Sequence, residues 1–157
     1  VAECAQALAD RLLASEPDPA RRAARGLELA WNRPADGGEI ERFVLAHRIS
    51  AEALAERLAA QPDAPVFDVR RKSEYDSEHI AGVENAPLDF INESMLAIPK
   101  DKTAYIHCAG GYRSMIFTSI LRARGYDRLV DIKGGFKALK DSGKFEVTDY
   151  TCPSTLL

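Results

Sequence analysis

Residues 105–114, YIHCAGGYRS, decide the fold expected of this 157-residue chain. The residues just before the cysteine, 103–106, are mainly β-branched or aromatic, which is typical of a short buried strand. From Met115 onward, apolar residues recur at helical spacing until Gly125 ends the pattern. The sequence therefore places Cys108 where a strand ends and a helix begins.

The loop that follows Cys108 is predicted to hold an anion. The amides of residues 109–113 lie at the start of the helix and lack helical partners, and Gly110 and Gly111 allow several N–H groups to converge. The nearest anion is the cysteine sulfur, whose thiolate form is favoured by these dipoles and by Arg113 if it folds back over the loop. We therefore expect Cys108 to be an ionised nucleophile open to solvent.

The pattern Cys108-x-x-Gly111-x-Arg113-Ser114 resembles the active-site loop of rhodanese-type sulfurtransferases. The resemblance implies that the cysteine takes a sulfane sulfur from a donor, holds it as a persulfide and passes it to a nucleophilic acceptor. We expect an anionic donor, thiosulfate or a low-molecular-weight persulfide, and a thiol or cyanide as acceptor. Cys108 and Arg113 are the expected catalytic residues. The expected substrate-binding residues are Ala109, Gly110, Gly111, Tyr112, Arg113 and Ser114.

A second segment, beginning at Asp68-Val69-Arg70, also resembles this family. Asp68 ends a predicted strand, where its carboxylate could accept amide hydrogen bonds that brace the catalytic loop. Arg70 and Glu74 are four residues apart and can pair. We expect these residues, together with His79, to support the site structurally rather than to react.

The order of elements predicts an α/β fold. Helices are expected over residues 51–60, 73–78 and 88–98, with strands over 65–70 and 128–132 and a last helix ending at Gly143. Such alternation predicts a single doubly wound, rhodanese-like sheet of four or five mainly parallel strands with right-handed crossovers. The catalytic domain is expected to span residues 48–146.

Two segments are expected to lie outside that domain. Residues 1–47 are predicted to form a helical N-terminal appendage that packs on the domain, mediates homodimerisation or borders a neighbouring domain. Residues 147–157 form a tail that contains Cys152. One interpretation makes Cys152 a resolving thiol that attacks a persulfide on Cys108. The other is that the tail only packs on the surface of the domain or on a partner. The ending CPSTL resembles that of rhodanese domains fused to metallo-β-lactamase-fold hydrolases. This resemblance would fit a chain that begins with Val1 because it is a fragment of a longer protein.

Composition narrows the classes of function. The net charge of −3 provides no basic field for nucleic acid, and no apolar run has membrane-spanning length. The cysteines are far apart in sequence, which argues for a reducing, cytoplasmic location rather than a disulfide framework. No histidine lies at metal-ligand spacing with them, and we expect neither a metal nor another cofactor. The cysteines are Cys4, Cys108 and Cys152, and the histidines are His47, His79 and His107.

Two other functions remain open from the sequence. His107-Cys108 and Arg113 are shared with cysteine-dependent phosphatases and arsenate reductases, but four residues separate the cysteine from the arginine here, one fewer than in the phosphatase loop. The shorter ring suits a single sulfur atom better than a tetrahedral oxyanion. The other alternative is a non-catalytic rhodanese-like binding module, in which the helical appendage is the functional part.

Overall fold

The structure is a computed structural model, and it describes residues 48–150. The predicted helical appendage, residues 1–47, and most of the predicted tail with Cys152 lie outside the described residues. The boundaries of the predicted catalytic domain therefore stay a prediction. No helix between residues 48 and 150 is both long enough and apolar enough to cross a bilayer.

A five-stranded sheet forms the centre of the fold, and all its neighbouring strands pair in parallel. Its strands are β1 (Arg48–Ile49), β2 (Val66–Asp68), β3 (Glu84–Asn85), β4 (Ala104–His107) and β5 (Leu129–Ile132). They lie in the order β1-β5-β4-β2-β3, so the strand that leads to Cys108 is in the middle. This arrangement confirms the predicted α/β class, with five strands.

Helices connect the strands, as the alternating pattern predicted. They are α1 (Ala51–Ala60), α2 (Lys72–Ser77), α3 (Ile91–Ser94), α4 (Tyr112–Ala123) and α5 (Gly135–Asp141), with a 3-10 turn at Leu88–Phe90. The helix predicted over residues 88–98 is wrong. Phe90 has φ −116° and ψ 41°, outside the helical region, so the apolar spacing there spans a 3-10 turn and a separate four-residue helix.

Two hydrophobic clusters cover the sheet. Consecutive residues of β4 enter different clusters: Ile106 packs with Phe117 of α4, and Tyr105 packs with Leu54 of α1. Because successive side chains of a strand point to opposite faces, the clusters lie on the two sides of the sheet. Phe117 is fully buried, and burying such a side chain contributes about 1.5–3 kcal/mol. The catalytic loop thus leaves a sheet that is held firmly on both faces.

Candidate active site

Cys108 lies directly after β4 and four residues before α4, as the sequence predicted. Gly111 closes the intervening turn with φ +95°, a left-handed conformation that favours glycine. Its amide donates a hydrogen bond to Sγ of Cys108 at 3.1 Å, and the Ser114 hydroxyl donates to the same sulfur at 3.6 Å. Two donors from the start of α4 therefore converge on the sulfur and favour negative charge there.

The expectation that Cys108 is open to solvent is wrong, because the residue is only 1% exposed. Its side chain belongs to the hydrophobic cluster that includes Phe117. The turn places the sulfur under the loop, whereas Ala109 and Gly110 are exposed. A Cβ built on Gly110 would meet nothing within 4 Å, so this part of the loop has open space around it.

Amides at the start of α5 bind carbonyl groups of the catalytic loop and so support it. The amide of Phe136 donates to the carbonyl oxygen of Cys108 at 2.6 Å, and the amide of Lys137 donates to that of Ala109 at 3.2 Å. Gly135 allows this approach: a Cβ at that position would stand 2.2 Å from the Cys108 carbonyl oxygen. The loop therefore presents the Gly111 amide to the sulfur, while α5 binds the carbonyl groups of Cys108 and Ala109.

Arg113 extends from α4 to α2, where Glu74 holds it. Nη1 donates to Oε2 at 2.5 Å and Nη2 donates to Oε1 at 2.8 Å. The predicted pairing of Arg70 with Glu74 is therefore wrong. The hydrogen bonds to Glu74 raise the pKa of Arg113, and the charges of Glu74 and Cys108 add to this rise. Burial acts in the opposite direction but is outweighed.

Asp68 and Arg70 form a buried ion pair beside the site. The carboxylate of Asp68 accepts the Arg70 amide at 2.9 Å and the Arg70 Nε–H at 2.8 Å. The guanidinium also donates to the carbonyl of Glu78 and lies 4.1 Å from the centre of the Phe136 ring. Asp68 thus braces the turn after β2, and Arg70 connects this turn with α5, which holds the catalytic loop.

The two described histidines have different surroundings. His79 stacks on Tyr75 at 3.8 Å between ring centres, and its amide donates to Oγ1 of Thr148. These contacts suit the framework role predicted for it. His107 is fully buried, with Nδ1 3.9 Å from Oδ1 of Asp68. Burial lowers the pKa of His107, although the charge of Asp68 acts in the opposite direction.

Arg48 and Asp131 also reach the catalytic loop, and the sequence analysis missed both. Nε of Arg48 donates to Oδ2 of Asp131 at 2.7 Å, and a Cβ built on Gly111 would stand 2.9 Å from Nη2 of Arg48. Burial raises the pKa of Asp131 to about 6 despite the nearby Arg48 charge. The available signal was an acidic residue inside the apolar run Leu129–Ile132, just before two glycines.

The part of the chain that the structure describes contains no group of three or more histidine, cysteine, aspartate or glutamate side chains able to hold a metal ion.

The chain is similar to known proteins in both sequence and structure. A sequence model described as the Rhodanese-like domain matches residues 50–142. A protein named "Sulfurtransferase" from Allochromatium vinosum is 32% identical over 94 residues, which cover 60% of this chain and 88% of that protein. The "Putative sulfur carrier protein YrkF" of Bacillus subtilis is 26% identical over 89 residues, covering 57% of this chain and 48% of the relative.

Solved structures show the same architecture. A rhodanese-related protein from Thermoplasma volcanium aligns with a TM-score of 0.57 and 29% identity, over 65% of this chain and 97% of the other. A rhodanese-like domain protein from Staphylococcus aureus aligns with a TM-score of 0.58 and 30% identity, over 66% and 99% of the two chains. Each of these two alignments covers about two thirds of this chain.

Proposed function

Because the chain belongs to the rhodanese-like domain family, we propose that it is a sulfurtransferase that carries a sulfane sulfur on Cys108. The observation that supports this most directly is the 3.1 Å hydrogen bond from the Gly111 amide to the Cys108 sulfur, at the point where β4 leads into α4. An amide in this position stabilises the Cys108 thiolate before it attacks the donor.

The proposed reaction has two displacements at sulfur. With thiosulfate, the thiolate of Cys108 attacks the outer sulfur, a Cys108 S–S bond forms, and the S–S bond of thiosulfate breaks with its electron pair leaving on sulfite. The charge of the persulfide then lies on its outer sulfur. A thiolate or cyanide attacks that outer sulfur and leaves as a persulfide or thiocyanate, and the bond electrons return to Cys108.

Arg113 is the proposed contact for the anionic donor. It begins the reaction paired with Glu74, so the positive charge is already partly neutralised. The site therefore offers the donor a guanidinium that is fixed in place, together with the loop amides, rather than a free cation. We propose that this favours small donors whose outer sulfur can enter the loop over large polyanions.

Access to the sulfur requires the loop to move. Cys108 is 1% exposed, whereas Ala109 and Gly110 are exposed and Gly110 has open space around its Cα. A small movement of this segment would uncover the sulfur, while the carbonyls of Cys108 and Ala109 stay bound to α5. The acceptor would be a thiol in a reducing compartment, which we propose to be the cytoplasm.

The test is sulfur uptake by the full chain, followed by mass spectrometry of the intact protein. Thiosulfate, mercaptopyruvate and glutathione persulfide are compared as donors, and at least one should add the mass of a single sulfur atom. Cys108→Ser should abolish uptake, and Cys152→Ser is the matched control that should retain it. Unchanged transfer of sulfur from thiosulfate to cyanide by Cys108→Ser would refute the proposal.

The same samples test the cysteine phosphatase alternative. An aryl phosphate ester is offered to the protein and to Cys108→Ser. Hydrolysis that depends on Cys108, together with no sulfur uptake from any donor, would replace the sulfurtransferase proposal with a phosphatase.

A further inference from the structure

A buried carboxyl group lies beneath the catalytic loop. Asp131 is 3% exposed and comes from β5, the strand beside β4 in the sheet. Its Oδ2 is bound by Arg48, but its Oδ1 is buried and has no hydrogen-bond partner among the described residues. A buried carboxylate oxygen without a donor is costly, so its retention beside a reactive loop calls for an explanation.

Ser114 of α4 contacts the catalytic sulfur and lies on the same side of the sheet as this carboxyl group. Its side chain is fully buried, and its hydroxyl donates to Sγ of Cys108 at 3.6 Å. Val130 and Ile132, the neighbours of Asp131 along β5, pack in the cluster on the α1 side of the sheet. Asp131 therefore points to the opposite face, which is covered by α4, the helix of Ser114. Burial raises the pKa of this carboxyl, and the nearby Ser114 hydroxyl acts in the opposite direction. A hydroxyl has one proton, so Ser114 can donate to the sulfur or to Asp131, but not fully to both.

We propose that Asp131 is a positioning residue for sulfur transfer, because its free oxygen receives the Ser114 hydrogen bond whenever Cys108 carries a persulfide. This inference rests on the proposed function. In the free enzyme the Cys108 sulfur carries the charge and attracts the hydroxyl. Once a second sulfur is attached, the charge moves to the outer atom, and the inner sulfur becomes a poor acceptor.

The persulfide state would otherwise leave a buried hydroxyl without an acceptor. Rotation of the Ser114 hydroxyl toward Oδ1 of Asp131 avoids this, because it satisfies two buried polar atoms with one hydrogen bond. No covalent bond is made or broken in this rotation, and the proton stays on Ser114. Asp131 thus lowers the free energy of the persulfide relative to the thiolate.

Arg48 keeps the carboxyl group in place for this exchange. Its Nε–H occupies Oδ2, which leaves Oδ1 as the acceptor still available. Nη2 of Arg48 also lies beside Gly111, whose amide binds the sulfur. Burial raises the pKa of Asp131, and the charge of Arg48 from β1 acts in the opposite direction.

The first test measures the equilibrium between thiol and persulfide forms in fixed ratios of thiosulfate to sulfite, by mass spectrometry of the intact full chain. Asp131→Asn should lower the persulfide-forming constant about tenfold, since it exchanges a charged acceptor for a neutral amide. In a Ser114→Ala background the same change should have less than about a twofold effect, because the shared hydroxyl is missing. Asp141→Asn, an exposed carboxyl on α5, is the control and should leave the constant unchanged.

Each outcome has a separate meaning. A normal persulfide constant in Asp131→Asn, or an equal effect of Asp131→Asn with and without Ser114, would overturn the positioning role and leave the proposed function intact. No sulfur uptake by the unmodified protein from any donor would overturn both.

A second measurement needs no variant and covers the case in which Asp131→Asn does not fold. The titration of the Asp131 carboxyl is followed by carbon NMR in the unmodified protein, before and after persulfide formation. The titration midpoint should fall in the persulfide form, because the carboxylate then accepts the Ser114 hydrogen bond. A midpoint that stays the same or rises would overturn the inference.

Discussion

Arg113 and Glu74 join the start of α4 to α2 through two parallel hydrogen bonds, Nη1–Oε2 at 2.5 Å and Nη2–Oε1 at 2.8 Å. The two residues are 39 positions apart in the chain, so the pair fixes the catalytic helix against a distant element. Burial alone would push the pKa of Glu74 upward, but the hydrogen bonds and charge of Arg113 outweigh it and lower this pKa. The planar, two-pronged geometry makes the pair specific to arginine.

The first prediction concerns Glu74→Gln. The variant should lose about 1 kcal/mol of stability at neutral pH, a modest value because the Glu74 side chain is 36% exposed and water screens the pair. The folded pKa of Glu74 lies below 4.5, so its contribution is present above that pH and is lost as the pH falls through the folded value. Urea unfolding at neutral and acidic pH should show the stability difference shrinking upon acidification.

Asp76→Asn is the control for this experiment. Asp76 pairs with Lys72 on the exposed side of the same helix, and its loss should change stability by less than about 0.5 kcal/mol. A Glu74→Gln variant as stable as Asp76→Asn at neutral pH would show that the Arg113 pair contributes nothing to the fold.

The second prediction concerns Gly135→Ala at the start of α5. Gly135 has φ +58°, and a Cβ there would stand 2.2 Å from the Cys108 carbonyl oxygen and 2.8 Å from the carbonyl carbon of Ala109. The backbone of the catalytic loop must therefore shift. We expect a loss of about 2–4 kcal/mol, the sum of left-handed strain and overpacking, and a loss of sulfur uptake.

Gly143→Ala separates the two contributions. Gly143 has a similar φ of +64°, but a Cβ there meets nothing within 4 Å, so only the strain of about 1 kcal/mol applies. Thermal unfolding and sulfur uptake of both variants give the comparison. Equal effects of the two alanines on uptake would mean that contact between Gly135 and the loop is unimportant.

These glycines show what the sequence could predict and what it could not. The strand, turn and helix around Cys108 follow from local patterns, since apolar spacing and paired glycines are visible in the chain. The burial of Cys108 could not be read in the same way, because its side chain packs in a cluster that includes Phe67 and Leu88 from distant parts of the sequence. Local patterns specify elements, whereas exposure depends on their packing.

The third prediction concerns Arg70→Lys. The Arg70 guanidinium is buried, and it binds Asp68, the carbonyl of Glu78 and the face of Phe136. A lysine keeps the charge but cannot make these contacts together, so the buried carboxylate of Asp68 loses part of its neutralisation. We expect a loss of about 2–4 kcal/mol in denaturant unfolding.

The neighbouring Arg71→Lys provides the control. Arg71 is half exposed and pairs with Asp89 at 3.2 Å, so the same substitution should cost less than about 0.5 kcal/mol. If both lysine variants unfold at the same denaturant concentration, the buried pair does not need the geometry of arginine.

Arg70 also illustrates why spacing rules gave the wrong partner. A separation of four residues predicts a pair with Glu74 only if both lie on one helix, but α2 begins at Lys72, after Arg70. Arg70 instead bends back to Asp68. Strand β3 was missed for a related reason: Glu84–Asn85 has no apolar alternation and is a strand only through its pairing with β2. Contacts between distant segments decide both cases.

The last prediction concerns the pH dependence that Asp131 gives to stability. Burial raises its pKa from 3.8 in the unfolded chain to about 6 in the folded protein. Between these values the folded state binds more protons than the unfolded state, so stability falls as the pH rises from about 4 to about 6. The full effect is at most about 3 kcal/mol. Asp131→Asn cannot titrate and should lack this fall.

The measurement is the difference in unfolding free energy between Asp131→Asn and the unmodified protein, followed by denaturant titration across this pH range. His107 acts in the opposite direction, since its lowered pKa costs stability below its ordinary value of 6.5. Both proteins contain His107, so its contribution cancels in the difference. The difference should rise in favour of Asp131→Asn up to about pH 6 and then level off. A constant difference across the range would mean that the folded Asp131 carboxyl titrates like an exposed one, and that its burial is relieved by water.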